Sequence, residues 1–368
     1  NREKLDTSLV ISAEETAKRI ANGEHYVIRF KTPVDETLHL KDIIRGDVKF
    51  ETNLLDDKVL FKSDGMPTYH LANIVDDHLM ETSHVIRGEE WLPSMPLHVL
   101  LYRAFGWEAP EFAHLPLILK PVGNGKLSKR DGDKLGFPVF PLEWKTEEGV
   151  SSGYREKGFF PETVVNFLAL LGWNDGTEQE IFSLEELVQK FDLNRVHKAG
   201  AKFDPEKNKW FNHQYLMKQK DADLAKDFTP ILTEKGIDSF GMTKLEKIVS
   251  LIKERANFVS EFWDLSDFFF VAPTAYDEKA RKNWKEETPA LMQELISVLS
   301  EITDFTSLNI ETIVKDWMTK NEIGMGKVMQ PFRLSLVGAL KGPHLFDIVE
   351  LIGKEETIKR IEKAIATL

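Results

Sequence analysis

Two clusters of residues in this sequence could do chemistry. The first is a basic pentad, Lys126-Leu127-Ser128-Lys129-Arg130, which follows an apolar run at 117–119, read as a buried strand, and the stretch Lys120-Pro121-Val122-Gly123-Asn124-Gly125. Asn124-Gly125 and Asp131-Gly132 are turn dipeptides, so the backbone is expected to double back on both sides of the pentad and hold its cations over one spot. Cations held in this way stabilise the negative charge that grows on a polyphosphate leaving group. A solvated basic turn uses the same residues, and the pentad by itself leaves both readings open. The second cluster lies upstream. Tyr69, Asn73 and Asp76 or Asp77 recur at helical spacing, which puts a phenol, an amide and a carboxylate on one face of a helix expected over 67–80. Arg87 ends an expected strand over 83–87, immediately before Gly88. At the carboxyl edge of a parallel sheet its planar cation can clamp a carboxylate. Helix face and arginine together suit a pocket for a small polar ligand; a helix showing its polar side to water is the plainer alternative.

The elements that must position these groups follow from pattern. Ser12-Ala13-Glu14-Glu15 has capping-box spacing and starts a short helix that Asn22-Gly23 ends. Apolar runs at 26–30, 38–44, 48–50 and 59–62, separated by Gly, Asp and Asn, read as strands of a small mixed domain. Pro67 is expected to begin the helix over 67–80, since its missing N–H costs nothing in a first turn. An amphipathic helix over 92–105, stopped by Gly106, completes a βαβ-like half. Residues 136–158 are punctuated by proline and then charged, and read as an irregular insertion. Pro161 opens a helix ended by Gly172, and Ser183-Leu184-Glu185-Glu186 caps another that runs to about 191. From about 212 nearly everything is helical by period: 224–235, 243–262, 278–282, 289–299, 308–320, 326–340 and 355–368. Ile358, Ile361, Ile365 and Leu368 form a narrow apolar stripe on the last of these. Phe268-Phe269-Phe270 and Trp263, Trp284 and Trp317 are expected in a helical core rather than stacked on bases.

The chain has 368 residues, enough for two to four domains, and its 42% hydrophobic and 29% charged residues are those of a folded globular protein. The absence of Cys excludes disulfides and thiolate zinc sites and makes the cytoplasm the default compartment. No apolar run approaches a membrane span. A net charge of -12 argues mildly against a nucleic-acid partner, yet Arg195, Lys198, Lys202, Lys207, Lys209, Lys218 and Lys220 face only Asp204 and Glu206 in their segment. That local excess is either a phosphate-binding surface or a solvated helix face.

The stretch from Asp64-Gly65-Met66-Pro67-Thr68-Tyr69-His70 through Asp77-His78, then 82–88 and Glu89-Glu90-Trp91, resembles the bacterial glutamyl-tRNA synthetases. The pentad is similar to the KMSKS loop of class I synthetases, with Leu127 at the Met position and Arg130 at the last Ser. The resemblance covers essentially the whole chain. It implies a multidomain α/β plus all-α architecture: a remainder of the acceptor-arm domain at 1–66, the second half of a Rossmann-like catalytic domain at 67–116, the KMSKS-type loop with a stem-contact domain at 117–211, and a helical anticodon-binding region at 212–368. It implies that Tyr69, Asn73 and Arg87 hold glutamate, that Glu90, Trp91, Lys129 and Arg130 bind ATP, and that Lys126 and Lys129 stabilise the departing pyrophosphate. Arg333 and Leu345 would contact the anticodon, while Gly342 departs from relatives that carry a base-contacting side chain there. The implied reaction activates L-glutamate with ATP and magnesium, which needs no dedicated protein ligands, and then transfers glutamate to the 3′ end of its cognate tRNA. Family precedent is a monomer. No His-x-Gly-His occurs, so the chain is expected to be a C-terminal portion lacking the HIGH half and inactive alone. Two rivals stand beside this reading. A tRNA-modifying paralogue would lack the helical region after 212, and a non-catalytic tRNA-binding protein could retain the fold.

Overall fold

The computed structural model describes residue 7 and residues 9–147, 149–238 and 240–368, the side chains of Lys129, Arg130 and Asp133 excepted. The chain forms two compact units, one from 1–136 with 165–204, the other from 137–164 with 205–368.

The first unit contains the βαβ arrangement that the sequence suggested. Strands His84–Gly88 and Glu111–Leu115 are parallel, and the helix Met95–Phe105 connects them. Their register sets Arg87 directly beside His114. The antiparallel hairpin Thr37–Asp42 with Gly46–Glu51 extends this edge, because Ile43 N–H donates to the Phe112 carbonyl at 2.8 Å. Helix Met95–Phe105 buries residues on most of its sides, including His98, and Pro96 sits in its first turn where no backbone bond is lost. Ile74, Met95, Leu101, Tyr102 and Phe112 form one core, and Ile44, Ala113, Trp173, Phe182 and Leu187 a second. The capping box at Ser183 is present, with Glu186 N–H donating to Ser183 Oγ at 3.1 Å and Ser183 N–H to the Glu186 carboxylate at 2.7 Å.

Three local expectations are corrected in this unit. Pro67 does not begin a helix: it bridges to Phe61, Thr68 N–H donates to the Leu60 carbonyl at 2.8 Å, and the helix spans Tyr69–Leu79. The run at 117–119 is a two-residue strand, Ile118–Leu119, half-buried rather than buried, and parallel to Ala201–Lys202. Asp131-Gly132 is not a turn. It lies inside the helix Lys129–Leu135, because Ser128 N–H and Oγ–H both donate to the Asp131 carboxylate, at 2.8 and 2.6 Å, and so nucleate a first turn.

The second unit is helical apart from the hairpin Trp144–Thr146 with Gly149–Ser151, which occupies the stretch read as irregular. Its core includes Phe228, Phe262, Phe332 and Phe346, with Phe268 and Phe269 buried and Trp263, Trp284 and Trp317 packed against it, as expected of core aromatics. Two helices escaped the sequence reading, Pro205–Lys218 and Leu345–Ile352. The expected helix over 243–262 is broken into Met242–Ile252 and Phe262–Ser266. The cause is side-chain capture of the intervening carbonyls: Asn212 Nδ2 donates to Asn257 O at 2.6 Å and His213 Nδ1 to Ala256 O at 2.7 Å. The last helix, Lys354–Thr367, buries Thr357, Arg360, Ile361 and Ala364, a wider face than the isoleucine stripe suggested.

Arg360 is 2% exposed and joins three segments. Its Nη1 donates to the carbonyls of Phe268 at 2.6 Å and Leu336 at 2.9 Å, and its Nε to Glu356 at 2.8 Å. Arg360→Met would leave two buried carbonyls and a carboxylate without their donor. It should lower the stability of the helical unit by about 3 kcal/mol, read as an earlier thermal transition, whereas an unchanged transition would contradict this role.

Candidate active site

The geometry is built outward from Arg87. It is half-buried near the end of its strand, with two buried histidines against its guanidinium and the Tyr69 hydroxyl acting on it as well: Nε donates to His114 Nε2 at 3.1 Å, and Nη1 faces His98 Nδ1 at 3.3 Å. The Phe112 ring lies 6.0 Å below the guanidinium carbon. Nη2 is buried with no protein partner. Burial pushes the guanidinium below its ordinary value, and Tyr69, Asp77 and Asp42 act against that.

Both histidines continue into further bonds. His114, fully buried, meets Asp42 Oδ2 through Nδ1 at 2.6 Å. Asp42 is also buried, and its Oδ1 accepts from the backbone N–H of Ile44 at 3.0 Å and of Arg45 at 2.8 Å. Burial alone would raise the Asp42 carboxyl, but the bonds from the His114 ring and from the backbone N–H of Arg45 and His114 hold it below its usual value. His98, 1% exposed, meets His70 Nδ1 through Nε2 at 2.9 Å. Burial, then the charge of Arg87, pushes His98 down to about 3.

Tyr69 and Asn73 project from helix Tyr69–Leu79 as the pattern required. Tyr69 is 51% exposed and its ring lies 4.9 Å from that of Trp91. Asn73 Nδ2 donates to Asp77 at 3.1 Å, which orients its Oδ1, and that oxygen is buried without a donor. The site therefore holds an unmet cationic donor at Arg87 and an unmet acceptor at Asn73. A carboxylate beside an ammonium, as on an amino acid, carries the two complementary groups.

The side of the site that carries Glu90 and Lys126 is tied together by charge. Glu90 and Trp91 lie on the 3-10 turn Glu89–Ser94, and Lys126 forms an ion pair with Glu90. The hydrogen bond from Lys126 holds the Glu90 carboxyl below its usual range. A Cβ on Gly88 would meet the Glu90 carboxylate, so a larger residue there would displace the Glu90 side chain from its place beside Lys126. Lys126 itself is fixed by a hairpin: it bridges to Leu119, and Lys120 N–H donates to Gly125 O at 3.1 Å. The Asn124-Gly125 turn is thus present. Lys120 pairs with Asp131 at 3.0 Å, and Ser128 is the main cause of that carboxyl's fall to about 2. Lys129 and Arg130 open the following helix, and their side chains lie outside the described residues.

In the second unit Arg333 and Leu345 border one surface cavity with Met329, Gln330, Leu340 and His344. Arg333 Nη1 donates to the carbonyls of Lys341 at 3.0 Å and Pro343 at 2.8 Å, so it supports the turn that carries Gly342. Leu345 is buried at 2% and forms the cavity floor. Gly342 has a φ of 102°, and a Cβ there would press on Phe268 at 3.2 Å, so backbone and space both require glycine. The basic segment is partly spent internally, since Arg195 donates to the Asp175 carbonyl and Lys198 to that of Arg45 at 3.2 Å. Among the described residues no three His, Asp or Glu gather to hold a metal, and no helix is long and apolar enough to cross a membrane.

Asp42, His98, His114 and His70 were missed by sequence reasoning. The one available signal was a histidine within each of two apolar runs, Leu97-His98-Val99 and Ala113-His114-Leu115. His98 is kept neutral in the fold, whereas in the unfolded chain it binds a proton below its ordinary value of 6.5. Its contribution is complete above 6.5 and is lost as pH falls towards 3. Between pH 7.5 and 5.5 the wild type should lose about 1.4 kcal/mol more stability than His98→Asn, measured by denaturant unfolding; equal losses would contradict this.

Comparison with known proteins identifies the family. Residues 1–210 match the profile of tRNA synthetases class I (E and Q), catalytic domain, and residues 222–365 that of an anticodon binding domain. The chain is 89% identical to a glutamate–tRNA ligase of Flavobacterium johnsoniae and 82% identical to that of Flavobacterium psychrophilum, in each case over 100% of this chain and 73% of the relative. A crystal structure of a glutamate tRNA ligase from Elizabethkingia meningosepticum, in complex with its amino acid, superposes with a TM-score of 0.97 at 54% identity and covers 100% of this chain and 73% of that one. On two matching domains and near-identity along its whole length, the chain belongs to the glutamate–tRNA ligases, class I aminoacyl-tRNA synthetases.

Proposed function

We propose that this chain supplies the glutamate pocket, the pyrophosphate-stabilising loop and the tRNA-reading surfaces of an enzyme that activates L-glutamate with ATP and transfers it to the 3′ end of its cognate tRNA. The observation that carries the reading is the pair of unmet groups at Arg87 Nη2 and Asn73 Oδ1 beside the Glu90–Lys126 ion pair. Arg87 binds a glutamate carboxylate, Asn73 accepts from the ammonium, and Tyr69 closes the side of the pocket against Trp91. Glu90 and Trp91, with Lys129 and Arg130, hold ATP. Attack of a glutamate carboxylate oxygen on the α-phosphorus forms glutamyl-adenylate and breaks the bond to pyrophosphate, whose growing charge Lys126 and Lys129 stabilise. Lys126 is released from Glu90 as the phosphates arrive, before this attack. Magnesium, when bound, would neutralise phosphate charge, and among the described residues no cluster of three His, Asp or Glu offers it a protein cage.

The same reading assigns 1–66 to the acceptor arm, 67–116 to the catalytic domain, 117–211 to the loop and stem contact, and 212–368 to the anticodon. Arg333 and the turn it supports form the anticodon contact, with Leu345 beneath. The protein acts as a monomer in the cytoplasm, for which the family precedent and the cysteine-free sequence are the support.

Because the sequence contains no His-x-Gly-His, this chain alone should not form adenylate. Labelled glutamate transfer to tRNA should appear when the remaining portion of its relatives' length is supplied; activity of the chain alone would overturn this. In the complemented enzyme Arg87→Lys should raise the glutamate KM about a hundredfold with little change in the ATP KM. Equal effects on both substrates would remove Arg87 from the glutamate pocket.

A further inference from the structure

A guanidinium has no acceptor, and that fixes the protons of everything around Arg87. Its Nε–H points at His114 Nε2, so that nitrogen is bare and the ring proton sits on Nδ1, where Asp42 receives it. Its Nη1–H points at His98 Nδ1, so that nitrogen is bare too, and His98 carries its proton on Nε2, aimed at His70 Nδ1. His70 must then accept at Nδ1. One consistent set of tautomers runs from Asp42 through His114, Arg87 and His98 to His70, and it rests on two imidazoles with almost no exposure.

We infer that His98 and His114 are positioning residues that fix the plane of Arg87 and leave Nη2 as its free corner, and that a proton on His70 breaks this arrangement. The inference deepens the assignment of glutamate to Arg87 and rests on it. A cationic His70 donates from both nitrogens, so His98 has to present a bare Nε2 and carry its proton on Nδ1. That proton then meets Arg87 Nη1–H head on, two donors with no acceptor between them.

Of the three histidines in this set, His70 is the one that is partly open. It lines a small cavity with Asp56, Lys58 and Ser94. The groups facing it are Tyr69 on its own helix, His98 on the next, Arg87 on the strand, and Lys58, itself paired with Asp56 at 3.0 Å. Burial, then Lys58 and Arg87, hold His70 below its ordinary value of 6.5. The bare, accepting form therefore prevails at neutral pH, and acid converts it.

Two measurements test this. Long-range proton–nitrogen spectra of the histidine rings in this chain at pH 8 should show the proton on Nδ1 of His114 and on Nε2 of His98. As His70 titrates, the His98 pattern and the Arg87 Nε–H signal should change together. Titration of His70 with both unmoved, or the opposite tautomers at pH 8, would overturn the inference. In the complemented enzyme, His98→Gln removes the acceptor at the Nδ1 position and should raise the glutamate KM roughly tenfold with kcat and the ATP KM little changed. His98→Asn, whose Oδ1 lies where Nδ1 was, should recover most of that loss. His70→Asn, a permanent acceptor, should flatten the acid rise in glutamate KM. Equal losses in both His98 variants would contradict positioning. If Arg87→Lys leaves the glutamate KM unchanged, the glutamate assignment fails instead, whatever the spectra show.

Discussion

A buried guanidinium must find an acceptor for each N–H it turns away from water, and much of the first unit answers that requirement. Strand register brings His114 beside Arg87, a helix packed over the sheet brings His98, and the end of a hairpin brings Asp42 to hold His114 in place. Each of these residues is itself buried, so none can swing away to solvent. What is left over is a single nitrogen without a protein partner. The fold thereby presents one corner of a cation in a fixed direction, which is the form of preorganisation that a carboxylate ligand rewards.

The side proposed to take phosphate is organised differently. Glu90 and Lys126 are both partly exposed, and their pair is a contact that an incoming polyphosphate can replace without uncovering a buried charge. Lys120, Asp131 and Ser128 form a second, tighter cluster that shapes the start of the helix following the loop. On the proposed reading, substrate selection would rest on Arg87 and the buried side chains that hold it, while charge stabilisation would rest on a hairpin and a helix end that can adjust.

Much of this was legible in the sequence, and the failures share a cause. Tyr69, Asn73 and Arg87 could be read because helical spacing and a strand end are local properties. Asp42 and His114 could not, since their meaning depends on a pairing across 72 residues. Asp131-Gly132 reads as a turn until Ser128 and Lys120 claim the Asp131 carboxylate. The helix over 243–262 reads as one element until Asn212 and His213, far away in sequence, take the carbonyls it would have used. Local propensity lost wherever a distant side chain offered a backbone group a better partner. Gly342 is the converse case: the family resemblance suggested a change in base recognition there, and the structure gives the glycine a backbone reason.

The most direct test of the central claim is to follow the side-chain nitrogen resonances of Arg87 in this chain while L-glutamate is titrated in. The account requires a saturable shift at Arg87 Nη2, weaker with glutamine, while the ring nitrogens of His98 and His114 keep their positions. Saturable binding that leaves Arg87 unmoved, or that displaces the two histidines from it, would contradict the claim that this guanidinium is held ready for a carboxylate.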